Sequence, residues 1–489
     1  MSSPEAANHD TPRQILNTIS TGFGSIFVVS VLGAFSVRLM TTHLGASSFG
    51  IFVLVQAFVS LAWNFTDLGL SEVLQRDVAR EGQDERWLLS HALGLRVTLG
   101  LVMIPIASTI GILMYSHRSS TLKIGLVVLL CSIPFSMTQE VSAAHFTARL
   151  RNVVVSVGSI VQQLVFVGLV LLAVELHKSI VYCLGAVLIG TVVSALYMFV
   201  AAHREVTFHP AFNRSTWISM LRTSSPIGLA YIIGSLYFKA DTIILSFLST
   251  VKQIGYYGVS YSILSVFLAL PVVLTRTFIP SLVKADEDSM ENAVHRSLGF
   301  FAIGGAFSAT AVMVCGPTVV RIIAGTHFGP SVLPLRILGL GLIFTFMSAG
   351  LGSICLARGT TSRLFQVSVV SLILNIALNI AVIPSLGIRG AAGATLVCEG
   401  IQMGFMIYLV TTQAKIRPKV FTTLMRPSAA GLVTCLVLAP VYLPHGIDQR
   451  YGLALIPGVA IVYMGVLALM RGVPNEIRAV LPSARRSRD

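Results

Sequence analysis

Nine ionisable side chains lie where the chain is otherwise oily: Arg38, Arg96, Lys239, Arg276 and Arg336, with Asp67, Glu140, Asp241 and Glu399. Each falls in an apolar run long enough to cross a bilayer. A charge at the centre of such a helix costs roughly 2.5–3.5 kcal/mol on insertion scales. Five cations at full depth would cost on the order of 12–17 kcal/mol, at least as much as a typical domain's whole net stability. They must be paired, face a watery cavity, or lie shallow enough to snorkel. The chemistry such a set supports is binding rather than bond making. Arginine's planar fork suits phosphate or pyrophosphate. The carboxylates either pair with the cations or carry a coupling proton or cation, and both readings stay open.

Depth along each run divides the nine. Arg38 and Arg336 lie near outer ends, within snorkelling reach. Asp67, Glu140 and Arg276 lie near inner ends, and Arg96 about a third of the way in. Lys239, Asp241 and Glu399 are deepest. Lys239 and Asp241 are two apart, so on a helix they do not face one another. Each needs its own partner elsewhere, and a plain structural ion pair competes with a cavity-facing role throughout.

The elements that must position these groups are membrane helices. Of the 489 residues 54% are hydrophobic and only 11% charged, against about 25% charged in ordinary soluble domains. Mean hydropathy is +0.82. A spanning helix needs about 20 apolar residues, and fourteen spans are predicted: 15–40, 49–70, 88–114, 124–144, 153–174, 180–202, 223–247, 254–282, 297–320, 332–356, 364–383, 390–412, 428–443 and 451–470. These runs are too long for barrel strands. With a cytosolic N-terminus, the inside gaps hold 22 Lys and Arg against 7 outside. That bias is the positive-inside pattern. It reads the net charge of +14 as membrane orientation rather than nucleic-acid binding, with both termini cytosolic.

The largest polar gaps, 71–87, 203–222, 283–296 and 413–427, all fall inside and are too short for a soluble domain. Two anchors suggest a duplication. Gly50 and Gly255, and Gly185 and Gly390, are each separated by 205 residues. An even number of spans per unit points both halves the same way through the membrane. The expected organisation is a cytosolic tail (1–14), an N-lobe (15–202), a cytosolic linker (203–222), a C-lobe (223–412), a second linker (413–427), helices thirteen and fourteen (428–470) and a basic cytosolic tail (471–489).

Other motifs are quiet. There is no GxxxxGK[ST] phosphate loop and no HExxH. The six cysteines are scattered without CxxC spacing. No catalytic residue, metal site or cofactor is expected, and the chain does not read as an enzyme. Gly400 and Gly404, and the glycines from Gly387 to Gly393, suit tight helix packing. Asn375 and Asn379 share one helix face. Prolines 105, 134, 226, 271, 280, 384 and 440 lie within or beside spans.

Ordered along residues 15–410, short motifs resemble bacterial polysaccharide flippases of the multidrug/oligosaccharidyl-lipid/polysaccharide exporter superfamily. They begin with Arg38, Leu44-Gly45, Phe49-Gly50, Asp67-Leu68-Gly69-Leu70 and Arg76. Asp241-Thr242-Ile243-Ile244-Leu245, Gly255-Tyr256-Tyr257 and Phe278-Ile279-Pro280 follow. Asn375, Asn379, Ile383-Pro384, Gly387 and Gly390-Ala391-Ala392-Gly393-Ala394-Thr395 complete the set. The resemblance implies an all-α polytopic fold with two six-helix lobes and two further helices. It implies that a polyprenyl-pyrophosphate-linked oligosaccharide crosses from the cytosolic to the outer leaflet of a bacterial inner membrane by alternating access around a cationic cavity. A polymerase and glycosyltransferases are the protein partners it implies, alongside membrane lipids. Arg38 stands where that family often has an arginine; Arg96, Lys239, Arg276 and Arg336 match no motif. A cation-coupled drug or metabolite antiporter of the same fold is the alternative, and the basic excess inside the spans speaks against it. A scaffold or a transferase is a third possibility, the latter lacking a polar catalytic loop.

Overall fold

The computed structural model describes residues 12–80, 84–442 and 449–470. Among these the chain is helical throughout, in fourteen α-helices and one short 3-10 turn. In chain order they are α1 (Pro12–Asp67), α2 (Leu70–Val78), α3 (Glu85–Met114), α4 (Ser120–Leu130), α5 (Ile133–Ala148), α6 (Asn152–Glu175) and α7 (Ile180–Glu205). There follow α8 (Arg214–Leu248), α9 (Val251–Lys284), α10 (Glu287–Ala324), the 3-10 turn Thr326–Ser331, α11 (Val332–Ala357), α12 (Thr361–Thr412), α13 (Val420–Tyr442) and α14 (Gln449–Leu469).

Among the described residues, eleven stretches are long and apolar enough to cross a membrane. Two are double length: Phe27–Asp67 has 41 residues and Arg363–Thr412 has 50, against about 20 needed for one crossing. Each turns at a glycine with left-handed backbone, Gly45 (φ 76°) and Gly387 (φ 56°), a region that costs a side chain dearly. A Cβ at Gly387 would also come within 2.7 Å of Gln253 Oε1. Each double-length helix thus holds two of the spans expected from sequence. The expected fourth span is broken between α4 and α5, where Pro134 starts the second piece. The fourteenth is the apolar stretch Pro457–Leu469. Of the expected tail 1–14, residues 1–11 lie outside the described residues and 12–14 begin α1; the expected tail 471–489 lies outside them.

Helix ends follow local chemistry. The Asp84 carboxylate accepts from Trp87 N at the start of α3 (3.1 Å), and Asn213 Oδ1 accepts from Ser215 N and Thr216 N at the start of α8 (3.1 and 3.3 Å). Both satisfy backbone donors that a helix start leaves open. One element lies in a region the sequence reading left as a polar gap. Residues 70–78 form α2, which buries Leu70, Ser71, Val73 and Leu74. Its apolar face is only two turns long, too short for a span signal.

The duplication is visible in the element boundaries. Helix breaks at Gly45, Ser119 and Arg151 recur near Thr250, Gly325 and Gly359, offsets of 205, 206 and 208 residues. The chain divides into two compact units, Met1–Leu236 and Tyr237–Asp489, with the division inside α8. In the first unit α1 packs on α6, α6 on α7, and α5 on α3 and α7. In the second α10 and α11 pack together, α12 lies on α11, and α13 and α14 lie on α10 and each other. Tyr463 of α14 is fully buried there and donates to Ile303 O (3.3 Å). Large side chains such as Leu101, Leu196 and Ile461 are exposed, the expected lipid-facing surface of a multi-span membrane protein.

Within the first unit, backbone closely approaches backbone beside the end of α1. Leu68 and Gly69 make a left-handed turn between α1 and α2 (φ 45° and 74°), and this turn lies against α8 at Gly228. A Cβ added at Gly228 would come within 2.2 Å of the Leu68 carbonyl carbon. We expect Gly228→Val to destabilise the purified protein by at least about 1–3 kcal/mol, the usual cost of overpacking. Gly234→Ala on the same helix meets open space and should hold or raise the melting temperature. Thermal unfolding in detergent compares the two.

Candidate functional site

In the first unit the charged residues form a knot around Arg96. Asp67 ends α1, and the turn after it brings its carboxylate to Gly69 N (3.1 Å) and to the Ser71 hydroxyl, which donates at 2.7 Å. Arg96, on α3, is fully buried. Its Nη2 donates to the Asp67 carboxylate and to Ser71 Oγ, the latter at 2.6 Å. Glu140 of α5 is near enough to act on Arg96 electrostatically. Arg96 Nε and Nη1 have no hydrogen-bond partner among the described residues. Buried donors are rarely left so, and each costs about 1–3 kcal/mol. The arrangement is a buried ion pair whose cation retains two unused donors.

The second unit holds its acids differently. Asp241 on α8 is buried and accepts from the Tyr257 hydroxyl and from Thr242 N (2.8 Å). Lys239, half-buried, acts on it electrostatically. Glu399 on α12 accepts from the hydroxyls of Tyr237 (2.9 Å) and Thr345 (2.8 Å). Asn379 Nδ2 donates to Asn375 O and Oδ1 (2.9 and 3.0 Å), and both residues are buried. Arg336 Nε donates to Met313 O (3.2 Å). Arg276 on α9 is exposed and has no polar partner among the described residues. Arg38 is half-buried, and its carbonyl accepts from the hydroxyls of Thr41 and Thr42 (3.1 and 2.6 Å).

A further cluster, absent from the sequence reading, ties the polar ends of α3, α5 and α7 together. His145 is buried, with Nδ1 2.7 Å from Glu85 Oε1 and Nε2 3.1 Å from Glu205 Oε2. Arg149 donates to Glu85 (2.6 Å) and Arg151 to Glu205 (2.7 Å). The hydrogen bonds with Glu85 hold the Arg149 guanidinium above its ordinary pKa. Glu85 and Glu205 each lie about 60 residues from the His145–Arg151 segment, and no spacing rule links the three helices. The only sequence signal was a charge at each helix end.

Two consequences can be measured at Arg96. Removing one partner of a buried ion pair typically costs about 3–5 kcal/mol, while an apolar replacement of both is often neutral. Asp67→Ala should therefore sharply lower the melting temperature and the yield of inserted protein. Asp67→Ala combined with Arg96→Met should recover most of that loss. Equal effects for the single and double variants would contradict the pairing.

The chain is similar to known proteins in family, in sequence and in fold. The family described as "Polysaccharide biosynthesis protein" matches residues 16–286. A protein of Haloferax volcanii named probable low-salt glycan biosynthesis flippase Agl15 is 23% identical over 388 residues, covering 76% of this chain and 79% of that one. Stage V sporulation protein B of Bacillus subtilis is 21% identical over 497 residues, covering 93% and 95%. Among solved structures, a lipid II flippase MurJ in an inward closed conformation superposes with a TM-score of 0.75 at 16% identity, covering 92% of this chain and 98% of that one.

Proposed function

Because the chain belongs to the polysaccharide biosynthesis protein family, we propose that it is a flippase for a lipid-linked glycan. What carries this reading is the 388-residue match to a protein named as a probable glycan biosynthesis flippase. The substrate in this proposal is a polyprenyl-pyrophosphate-linked oligosaccharide, moved from the cytosolic to the outer leaflet of a bacterial inner membrane. The partners are the glycosyltransferases that build the glycan and a polymerase that consumes it.

The mechanism follows from the bilayer's cost for charge. Moving a diphosphate through hydrocarbon requires a wet path with cations along it. Arg38, Arg96, Lys239, Arg276 and Arg336 are the proposed lining. Arg276, exposed and without a polar partner among the described residues, meets the pyrophosphate first. Arg96 offers its two unused donors while Asp67 neutralises it in the empty state, so a bound anion has little to displace. Alternating access then requires a group whose charge changes with the cycle. Glu399 fits that role, since a carboxylate buried against hydroxyls alone must take up a proton or a cation. Asp241, Asp67 and Glu140 remain the other coupling or ion-pair candidates. Transporters titled multidrug resistance MATE share the fold at a TM-score of 0.62. A basic balance within the spans favours an anionic cargo over cationic drugs.

Deleting the gene in its organism should leave lipid-linked glycan stranded on the cytosolic leaflet and remove the surface polysaccharide. Arg276→Ala, and Asp67→Ala combined with Arg96→Met, which removes the pair as a whole, should then fail to restore export while still reaching the membrane. Normal surface glycan in the deletion strain sinks the flippase reading. Full complementation by both variants sinks the cationic path.

A further inference from the structure

A pocket of about 410 Å³ opens at the polar end of the first unit, between α2, the start of α3 and the start of α8. We propose that it is a saccharide site, which holds the glycan end of the substrate on the cytosolic face before translocation. The proposal rests on the flippase reading for what the glycan is attached to.

The pocket lies beside the polar gap 71–87, on the side that the basic residues assign to the cytosol. Its volume is in the range of small-molecule sites, about 300–1,000 Å³. The lining combines the three kinds of group a pyranose ring needs. Trp87, 44% exposed, presents an aromatic surface, which suits a sugar's apolar C–H face. Ser215, Thr216, Ser219 and Thr223 supply hydroxyls from α8. Asp77 supplies a carboxylate from α2, and apolar side chains of all three helices complete the walls.

The hydrogen-bond inventory separates occupied groups from available ones. The Thr223 hydroxyl donates to Ser219 O (3.0 Å) and the Ser215 hydroxyl to Asn213 Oδ1 (2.8 Å). The hydroxyls of Thr216 and Ser219 have no protein partner among the described residues, and each can both donate and accept, as a sugar hydroxyl requires. An anionic headgroup fits poorly. Among the described residues no cation lines the pocket, and the two nearby arginines, Arg76 and Arg80, are drawn to the Asp77 carboxylate at 2.9 and 3.6 Å. A lipid tail would leave the hydroxyls of Thr216 and Ser219 without partners.

The walls are braced. Glu85, two residues before Trp87, is held by Arg149 and His145. The segment leading to α8 is pinned to α3 by Ala211 N donating to Ser90 O (3.0 Å). A Cβ on Gly94 would come within 2.2 Å of Ala211 O. A pre-formed site spends little binding energy on ordering, which suits capture of a weakly held sugar.

The test places a photoreactive benzoylphenylalanine at Trp87, an aromatic in place of an aromatic, in the native host and, as a control, at lipid-facing Leu196. After irradiation, periodate oxidation and hydrazide labelling should reveal carbohydrate on the 87 adduct only, and only while the glycan is being made. In the deletion strain, Ser219→Phe, which fills the pocket, and Trp87→Ala should each lower surface glycan by about tenfold at equal membrane levels, the scale of one lost aromatic contact with its neighbours. An 87 adduct without carbohydrate overturns the proposal, as does wild-type export by both variants. If Ser219→Phe fails to insert, the cross-link and Trp87→Ala decide. Loss of glycan in the deletion strain with normal export by the pocket variants rejects the pocket alone. Surface glycan that survives the deletion rejects the flippase reading on which it stands.

Discussion

Hydrocarbon offers no hydrogen-bond partner, and every feature of this protein answers to that. Backbone groups close on themselves in helices. Serine and threonine hydroxyls inside the helices turn back onto carbonyls three or four residues earlier, as Thr66, Thr191 and Thr310 do. The few ionisable groups at membrane depth are the ones the fold must account for individually.

The two units account for them in different ways. In the first, a cation and an anion from different helices meet, and Ser71 links them. The short helix α2 exists to make this possible, because the turn at Leu68–Gly69 carries Asp67 and Ser71 to the same side of Arg96. In the second, the Tyr257 hydroxyl and Thr242 N hold Asp241, with Lys239 acting on it, and the Tyr237 and Thr345 hydroxyls hold Glu399. An ion pair is self-neutralising, whereas Glu399 sits among hydroxyls that carry no balancing charge. That contrast gives a duplicated architecture two chemically unlike halves.

The polar ends of the first unit carry a second layer of order. The Glu85–His145–Glu205 bridge and its two arginines fasten α3, α5 and α7 where they leave the apolar region. Beneath it a buried cluster including Leu74, Leu89, Phe146 and Phe208 closes the same end. The α2–α3–α8 pocket sits beside this braced region, so its walls are held by the packing that holds the unit together.

Apolar run length and charge spacing determined the helical class, the approximate set of crossings and the list of intramembrane charges, and paired glycines suggested the 205-residue repeat. They are properties of the chain taken one segment at a time, and the bilayer reads them one segment at a time. Tertiary structure alone decided what each charge meets. Asp67 and Arg96 are 29 residues apart, Tyr237 and Glu399 are 162 apart, and no periodicity connects them. It also decided that residues 70–78 form a helix, since nine residues bury their apolar face only where α3 and α5 already stand. Ser215, Ser219 and Thr223 shared one helix face in the sequence, a signal that acquires meaning only beside Trp87. Contacts between distant segments depend on how helices pack, and packing is a property of surfaces that exist only after the segments have folded.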